Sequence, residues 1–224
     1  MSPVDELLAA GARVVADGLS PGTSGNISVR DGDRVLVSGS GTSLGRLGPD
    51  DVAVLDLDGR HLGGARPSKE WPLHLAFYAR DVAHRAVVHV HSPYAVAASC
   101  LEPWSEASAV PPLTPYYVMR VGQAPLLPYR PPGDPGLGDD LAACPWELRA
   151  ALLANHGSVL AGRDAAEACE RAVELEEACR ITLLTTGLPR RELTPEATRH
   201  LAARWSSPWG GRTRVGFSAG PSER

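Results

Sequence analysis

Two periods of apolar residues alternate along the chain, and each change of period predicts a new element. Leu7, Leu8, Gly11, Val14 and Val15 recur at helical spacing, so residues 3–18 are predicted as an opening helix. Ser2 stands at its cap, and Pro3 suits the first helical position, where the N–H has no partner to lose. Residues 27–30 and 34–38 flank Asp31-Gly32-Asp33, a tight-turn sequence, and predict a hairpin. Residues 52–57 form another predicted strand, closed by Asp58-Gly59. Residues 68–79 predict a helix with Ser68 as its cap and Pro72 at its first turn, where a missing N–H costs least.

Further on, Ala86-Val87-Val88-His89-Val90 reads as a buried strand, followed by a short helix over 93–100. Residues 103–140, rich in Pro and Gly, predict mostly loop, with a short strand near 124–127. Residues 150–154 are an apolar strand, and 158–161 continue the sheet. Over 164–186, Ala, Val and Leu line one face and Glu and Arg the other, which predicts a long helix. Thr194 caps a last helix that opens at Pro195. Interleaved helices and hairpins predict a mixed α/β fold, a central, largely antiparallel sheet sandwiched by helices. No repeat or linker divides residues 1–205, which read as a single domain, and residues 206–224, rich in Gly, Ser and Arg, read as a flexible tail.

Composition narrows the function classes. A chain of 224 residues has room for one sizeable core. Its 43% hydrophobic and 21% charged residues place it with soluble globular proteins. A net charge of −4 predicts no bulk attraction to nucleic acid or an anionic membrane, so an anionic ligand must be met by local donors. Cys100, Cys144, Cys169 and Cys179 contain no CxxC pair, which predicts free thiols and a cytoplasmic setting. No signal peptide is expected, and no apolar run approaches the ~20 residues that span a bilayer.

The candidate chemistry lies in histidines. His89 and His91 sit two apart on an apolar strand, and residues i and i+2 share a face, so both imidazoles can ligate one ion. His156, in Asn155-His156-Gly157, follows the apolar run 150–154, and Glu70 stands in Ser68-Lys69-Glu70-Trp71-Pro72. Three imidazoles and a carboxylate suit zinc or a similar divalent ion, provided that the fold brings them together. Taken singly, each residue has an ordinary reading: a hydrogen-bonded core histidine, or an acidic residue favoured by a helix dipole.

In order, Ser24-Gly25-Asn26-Ile27-Ser28, Ser40-Gly41, Ser68-Lys69-Glu70, His89-Val90-His91 and Asn155-His156-Gly157 resemble the class II aldolase/adducin family over about residues 5–190. Within it, Thr114 to Gly122, Pro128-Tyr129-Arg130-Pro131 and Lys69, where the sugar-phosphate aldolases have serine, are similar to the 3-oxo-tetronate 4-phosphate decarboxylases. The resemblance implies a fold of class II aldolase type and one divalent ion per subunit, Zn2+ above all, held by Glu70, His89, His91 and His156. It implies that Glu70 leaves the metal as substrate chelates and then acts as acid or base. Gly25, Asn26, Ser40, Gly41, Ser68 and Lys69 occupy the positions that hold phosphate or substrate in the aldolases, although Ser-Gly and Gly-Asn are also ordinary turn pairs.

Tyr117 aligns with a tyrosine that donates a proton across a subunit interface; an aromatic anchor for a Pro-rich loop and a role for Tyr116 both stay open. His61, His74, His84 and His200 read as structural or surface residues. The implied activity is decarboxylation of a 3-oxo-tetronate 4-phosphate to dihydroxyacetone phosphate through a metal-stabilised enediolate. The alternatives are a fuculose-phosphate aldolase-like reaction and a non-catalytic adducin-like binding module. A homotetramer is implied as well.

Overall fold

In the computed structural model, which describes residues 1–211, Ser2 opens the chain's first helix, α1 (Pro3–Ala16). The Asp5 N–H donates to Ser2 Oγ at 3.1 Å while the Ser2 N–H donates back to the Asp5 carboxylate at 3.3 Å. The predicted hairpin is present as β1 (Asn26–Asp31) and β2 (Arg34–Ser38), turned at Gly32 with φ 59°. β3 (Val52–Asp56) pairs with β2 and with a short edge strand, β4 (His61–Gly64). β4 was not predicted, because two glycines and exposed side chains give it no apolar alternation.

α2 (Trp71–Arg80) begins three residues later than predicted, with Glu70 rather than Ser68 at its cap position. Residues 66–68 are instead held extended along the end of β2: Gly39 bridges to Pro67, and the Ser68 N–H donates to the Ser38 carbonyl. β5 (Ala86–Val90) and α3 (Pro93–Ser99) follow as predicted. In the Pro/Gly-rich stretch, Tyr117–Val121 form a π-helical turn closed by the Gly122 N–H on the Tyr117 carbonyl. β6 (Leu126–Leu127) and an unpredicted helix, α4 (Gly136–Ala143), come next; Leu137 and Leu141 pack α4 onto α2, whereas its glycine-rich start carries no helical signal. β7 (Ala150–Leu153) turns into β8 (Gly157–Gly162), α5 (Ala165–Leu184) follows from the Asp164 cap, and α6 (Pro195–Trp205) from the Thr194 cap.

Among the described residues, eight strands form one sheet in the order β4-β3-β2-β1-β5-β8-β7-β6, antiparallel except for β6 with β7. Helices cover both faces, which is why β5 is apolar at nearly every position. Ile27, Val29, Val88, Val90 and Leu160 face the core layer that includes Leu7, Val14, Ala168 and Leu175 of α1 and α5. Val35, Val37, Val87 and Val159 face Leu73, Phe77, Leu137 and Leu141 of α2 and α4. By strand alternation His89 lies on the α2 face with Val87, inside this second layer. Full burial of Leu73 and Phe77 contributes about 1.5–3 kcal/mol each, an upper estimate that ties α2 to the sheet.

Of the tail predicted from residue 206, the described residues 206–211 lie against the domain. The Gln123 N–H donates to the Pro208 carbonyl, the Gly210 N–H to Gln123 Oε1, and the Trp209 ring lies 6.0 Å from that of Tyr117. Residues 212–224 lie outside the described residues. Among the described residues no helix is long and apolar enough to cross a membrane, and all four cysteines are unpaired.

Candidate metal centre

β5, the β7–β8 turn and the start of α2 meet at one end of the sheet. His89 sits on β5 and His91 just past its end. Their Nε2 atoms lie 2.9 Å apart. His156 enters from the β7–β8 turn, which Asn155 makes possible by adopting φ 56° and in which the His156 N–H donates to the Leu153 carbonyl. Glu70 points in from the helix start, with Oε2 3.3 Å from His89 Nε2 and Oε1 3.3 Å from His156 Nε2. One ligand atom from each of these four residues lies within 4.8 Å of all the others.

This donor set fits a divalent cation. Glu70 Oε1 and both ring nitrogens of His156 are buried without a hydrogen-bond partner, a costly state that coordination would relieve. His89 is oriented for ligation: its Nδ1–H donates to the Ser158 carbonyl at 2.8 Å, which turns Nε2 towards the cluster. His91 is held from behind. Ser92 Oγ and the N–H groups of Tyr94 and Ala95 all donate to the Glu176 carboxylate, at 2.6–2.9 Å, and fix the chain directly after the ligand.

Burial holds His91 neutral, with its pKa lowered to about 4, helped by His89 and His156 and opposed by Glu70. Burial likewise lowers His156, with His89 adding to it and Glu70 opposing. Burial alone would raise the Glu70 carboxyl. Hydrogen bonding and charge from His89, the Asn26 amide and His156 outweigh it and keep the group well below the usual carboxylate range. Glu70 is thus held ionised and His91 and His156 neutral, the forms in which these groups ligate a metal ion.

The predicted phosphate positions gather beside this cluster but do not behave alike. Gly25 has φ 85°, and a Cβ there would meet the His89 carbonyl at 2.8 Å, so only glycine lets this loop lie against β5. Ser40 and Gly41 are exposed, with open space around the Gly41 α-carbon. The Ser68 N–H is taken by Ser38, and no helix starts at this residue, which corrects the view that free helical N–H groups point from it. Lys69 is exposed and makes no ion pair among the described residues; its aliphatic stem lies against Gly133. Asn26 is the larger departure. Its Nδ2 donates to Glu70 Oε2 at 2.8 Å and its Oδ1 meets His74 Nε2 at 2.5 Å, so its amide is engaged with Glu70 and His74.

The neighbouring tyrosines are placed differently from one another. Tyr117 is fully buried in the core, its hydroxyl 2.8 Å from Ser108 Oγ, and burial raises its pKa. Tyr116, the alternative, is 55% exposed, with the Arg120 guanidinium 5.9 Å from its ring centre. His74, read from the sequence as structural, is fully buried and bonded to Asn26. Its i+4 spacing puts it on the same side of the helix as Glu70. Nothing local pointed to Ser158 or Glu176, which act from distant strands and helices.

Comparison with known proteins gives consistent results. The model of the Class II Aldolase and Adducin N-terminal domain family matches residues 5–183. The chain is 43% identical over 188 residues to the 3-oxo-tetronate 4-phosphate decarboxylase of Haemophilus influenzae, spanning 84% of this chain and 90% of that protein. It is 35% identical to the 5-deoxy-D-ribulose 1-phosphate aldolase of Bacillus thuringiensis, over 86% of this chain and 90% of the relative. Among solved structures, YgbL of Klebsiella pneumoniae, for which aldolase, epimerase and decarboxylase activities are all suggested, superimposes with a TM-score of 0.84 at 36% identity, covering 89% of this chain and 97% of that one.

Proposed function

Because the chain belongs to the class II aldolase and adducin N-terminal domain family, we propose that it removes carbon dioxide from a 3-oxo-tetronate 4-phosphate and releases dihydroxyacetone phosphate. It is a carbon–carbon lyase of that family, whose relatives are decarboxylases and aldolases. The observation that carries the proposal is the complete quartet of Glu70, His89, His91 and His156, within 4.8 Å, in a chain similar to decarboxylases over most of its length. A non-catalytic binding module has no need of such a set.

His89, His91 and His156 would hold the ion, Zn2+ by the donor set, with Glu70 as a fourth ligand in the resting protein. When bound, the ion supplies Lewis-acid stabilisation to negative charge that develops on two adjacent substrate oxygens. The chain's own residues do the rest. Glu70, freed by the incoming substrate, holds or delivers a proton at its carboxylate within the buried wall. Lys69, exposed beside it, places a positive charge where a doubly anionic substrate would arrive, and Gly25, Ser40, Gly41 and Ser68 shape the adjoining loops. Asn26 supports Glu70 through its Nδ2 donation to Oε2. Exposed Tyr116 would take the proton-donor role expected of Tyr117, within a homotetramer.

Aldol cleavage is the second reading, supported by the aldolase relative and by the same charge development on adjacent oxygens. Both reactions can yield dihydroxyacetone phosphate, so the test must follow the other product. Purified protein is incubated with 3-oxo-tetronate 4-phosphate and with fuculose 1-phosphate, and carbon dioxide, aldehyde and bound metal are measured. Carbon dioxide from the oxo-acid supports decarboxylation. Faster aldehyde release from fuculose 1-phosphate replaces it with the aldolase reading, and a metal-free, inactive protein removes both.

A further inference from the structure

Glu70, His74 and Tyr78 fall at i, i+4 and i+8, along one side of α2 and its cap. Asn26 and Ser28 fall at i and i+2, on one face of β1. The two stripes interlock. Tyr78 Oη lies 2.6 Å from Ser28 Oγ, Ser28 Oγ 2.7 Å from His74 Nδ1, His74 Nε2 2.5 Å from Asn26 Oδ1, and Asn26 Nδ2 2.8 Å from Glu70 Oε2. All five residues are buried, and the chain of bonds crosses an otherwise apolar layer.

The direction of every bond follows from its last acceptor. An ionised carboxylate only accepts, so Asn26 must turn its NH2 towards Glu70 and its carbonyl towards His74. His74 must then carry its proton on Nε2, which leaves Nδ1 bare to accept from the Ser28 hydroxyl. That hydroxyl, donating its hydrogen bond to His74, accepts one from Tyr78. Each group donates towards Glu70, so the bonds polarise one another in the same sense. An amide cannot pass a proton along, so the chain orients and does not shuttle. Burial keeps His74 neutral, with His89 adding to the effect and Glu70 opposing, and its pKa falls to about 3.

We propose that Asn26, His74, Ser28 and Tyr78 are a one-way hydrogen-bonded relay that aims the Glu70 carboxylate at the metal cluster, with His74 as its key positioning residue. The inference rests on the proposed role of Glu70 as a metal ligand and proton carrier.

Two measurements need no substrate. In imidazole 15N–1H spectra of the wild-type protein, His74 should be the neutral Nε2–H tautomer at pH 7; the Nδ1–H tautomer overturns the relay. In chelator competition for Zn2+, His74→Phe should bind about 10–100-fold more weakly, the usual cost of losing a group that orients a ligand. His74→Gln, whose amide can still donate to Asn26, should recover most of that loss. Equal affinity in wild type and His74→Phe, or no recovery in His74→Gln, overturns the proposal. If His74→Phe does not fold, Ser28→Ala and the wild-type spectrum carry the test, with Ser28→Ala expected to weaken Zn2+ binding. Turnover adds a third readout, in which His74→Phe lowers kcat more than it changes KM. Failure of the decarboxylase assay in a protein that binds Zn2+ as described would refute the activity and leave the relay standing.

Discussion

Gly157 stands directly against His91: a Cβ at position 157 would lie 3.1 Å from His91 Cδ2 and 2.6 Å from the Val90 carbonyl. The absence of a side chain is what lets the β7–β8 turn bring His156 up to His89 and His91. Gly157→Ala should therefore force β5 and β8 apart, with a loss of stability of about 1–3 kcal/mol, the range for overpacking, together with weaker metal binding. Urea denaturation and metal analysis of the purified variant check this. An unchanged midpoint with full metal content would show that the close approach is not needed.

Removal of a ligand should separate binding from turnover. His91→Ala should lose both metal and activity, because a three-histidine site has little redundancy. Glu70→Gln should keep some metal and lose turnover, since an amide oxygen can coordinate but cannot carry a proton. Metal content by elemental analysis beside kcat for each variant decides. Near-normal kcat in Glu70→Gln would take Glu70 out of proton transfer.

The adjacent tyrosines should respond in opposite ways. Tyr117→Phe removes a buried hydroxyl bonded to Ser108 and should cost about 0.5–1.5 kcal/mol of stability while leaving kcat close to wild type. Tyr116→Phe should leave stability alone and lower kcat. A large fall in kcat for Tyr117→Phe would restore the role first expected of it.

Acid should destabilise the metal-free protein. The unfolded imidazoles take up protons near 6.5, whereas folded His91 does so only near 4 and folded His74 near 3. Between those values the unfolded state binds more protons, so stability falls as pH drops from 6.5 towards 4 and below; above 6.5 these groups contribute no slope. Urea midpoints at pH 7.5 and 5 test the sign, and a midpoint that holds or rises at the lower pH contradicts it.

Lys69 should tune substrate choice. Lys69→Ser removes the one charge that distinguishes this loop from the aldolase pattern, and should weaken kcat/KM on the oxo-acid phosphate by about 2–3 kcal/mol, the scale of a charge-assisted contact. Metal content should stay constant. A variant that treats the oxo-acid as the wild type does would remove Lys69 from recognition.

The sequence by itself determined what short-range pattern can carry. Helical periodicity marked α1 and α5, and the Ser2 and Thr194 caps marked the starts of α1 and α6, because capping and amphipathicity act within a turn or two of the chain. The doubly covered strand β5 was legible as an apolar run, and the two-residue spacing of His89 and His91 announced their convergence, even though His91 lies just past the strand end. The tertiary structure decided what depends on register and on contacts across long stretches of chain. Asn26 serves Glu70 because β1 pairs Asn26 opposite His89, beneath α2, 44 residues away from its carboxylate partner. Extended pairing of residues 66–68 with the end of β2 delayed the helix and placed Glu70 at its cap. Which of two adjacent tyrosines faces out was settled by a π-helical turn that presses Tyr117 into the core against Ser108 and Trp209. A single residue type or spacing does not encode such choices, because each is made by the packing energy of surfaces that meet only when the chain has folded.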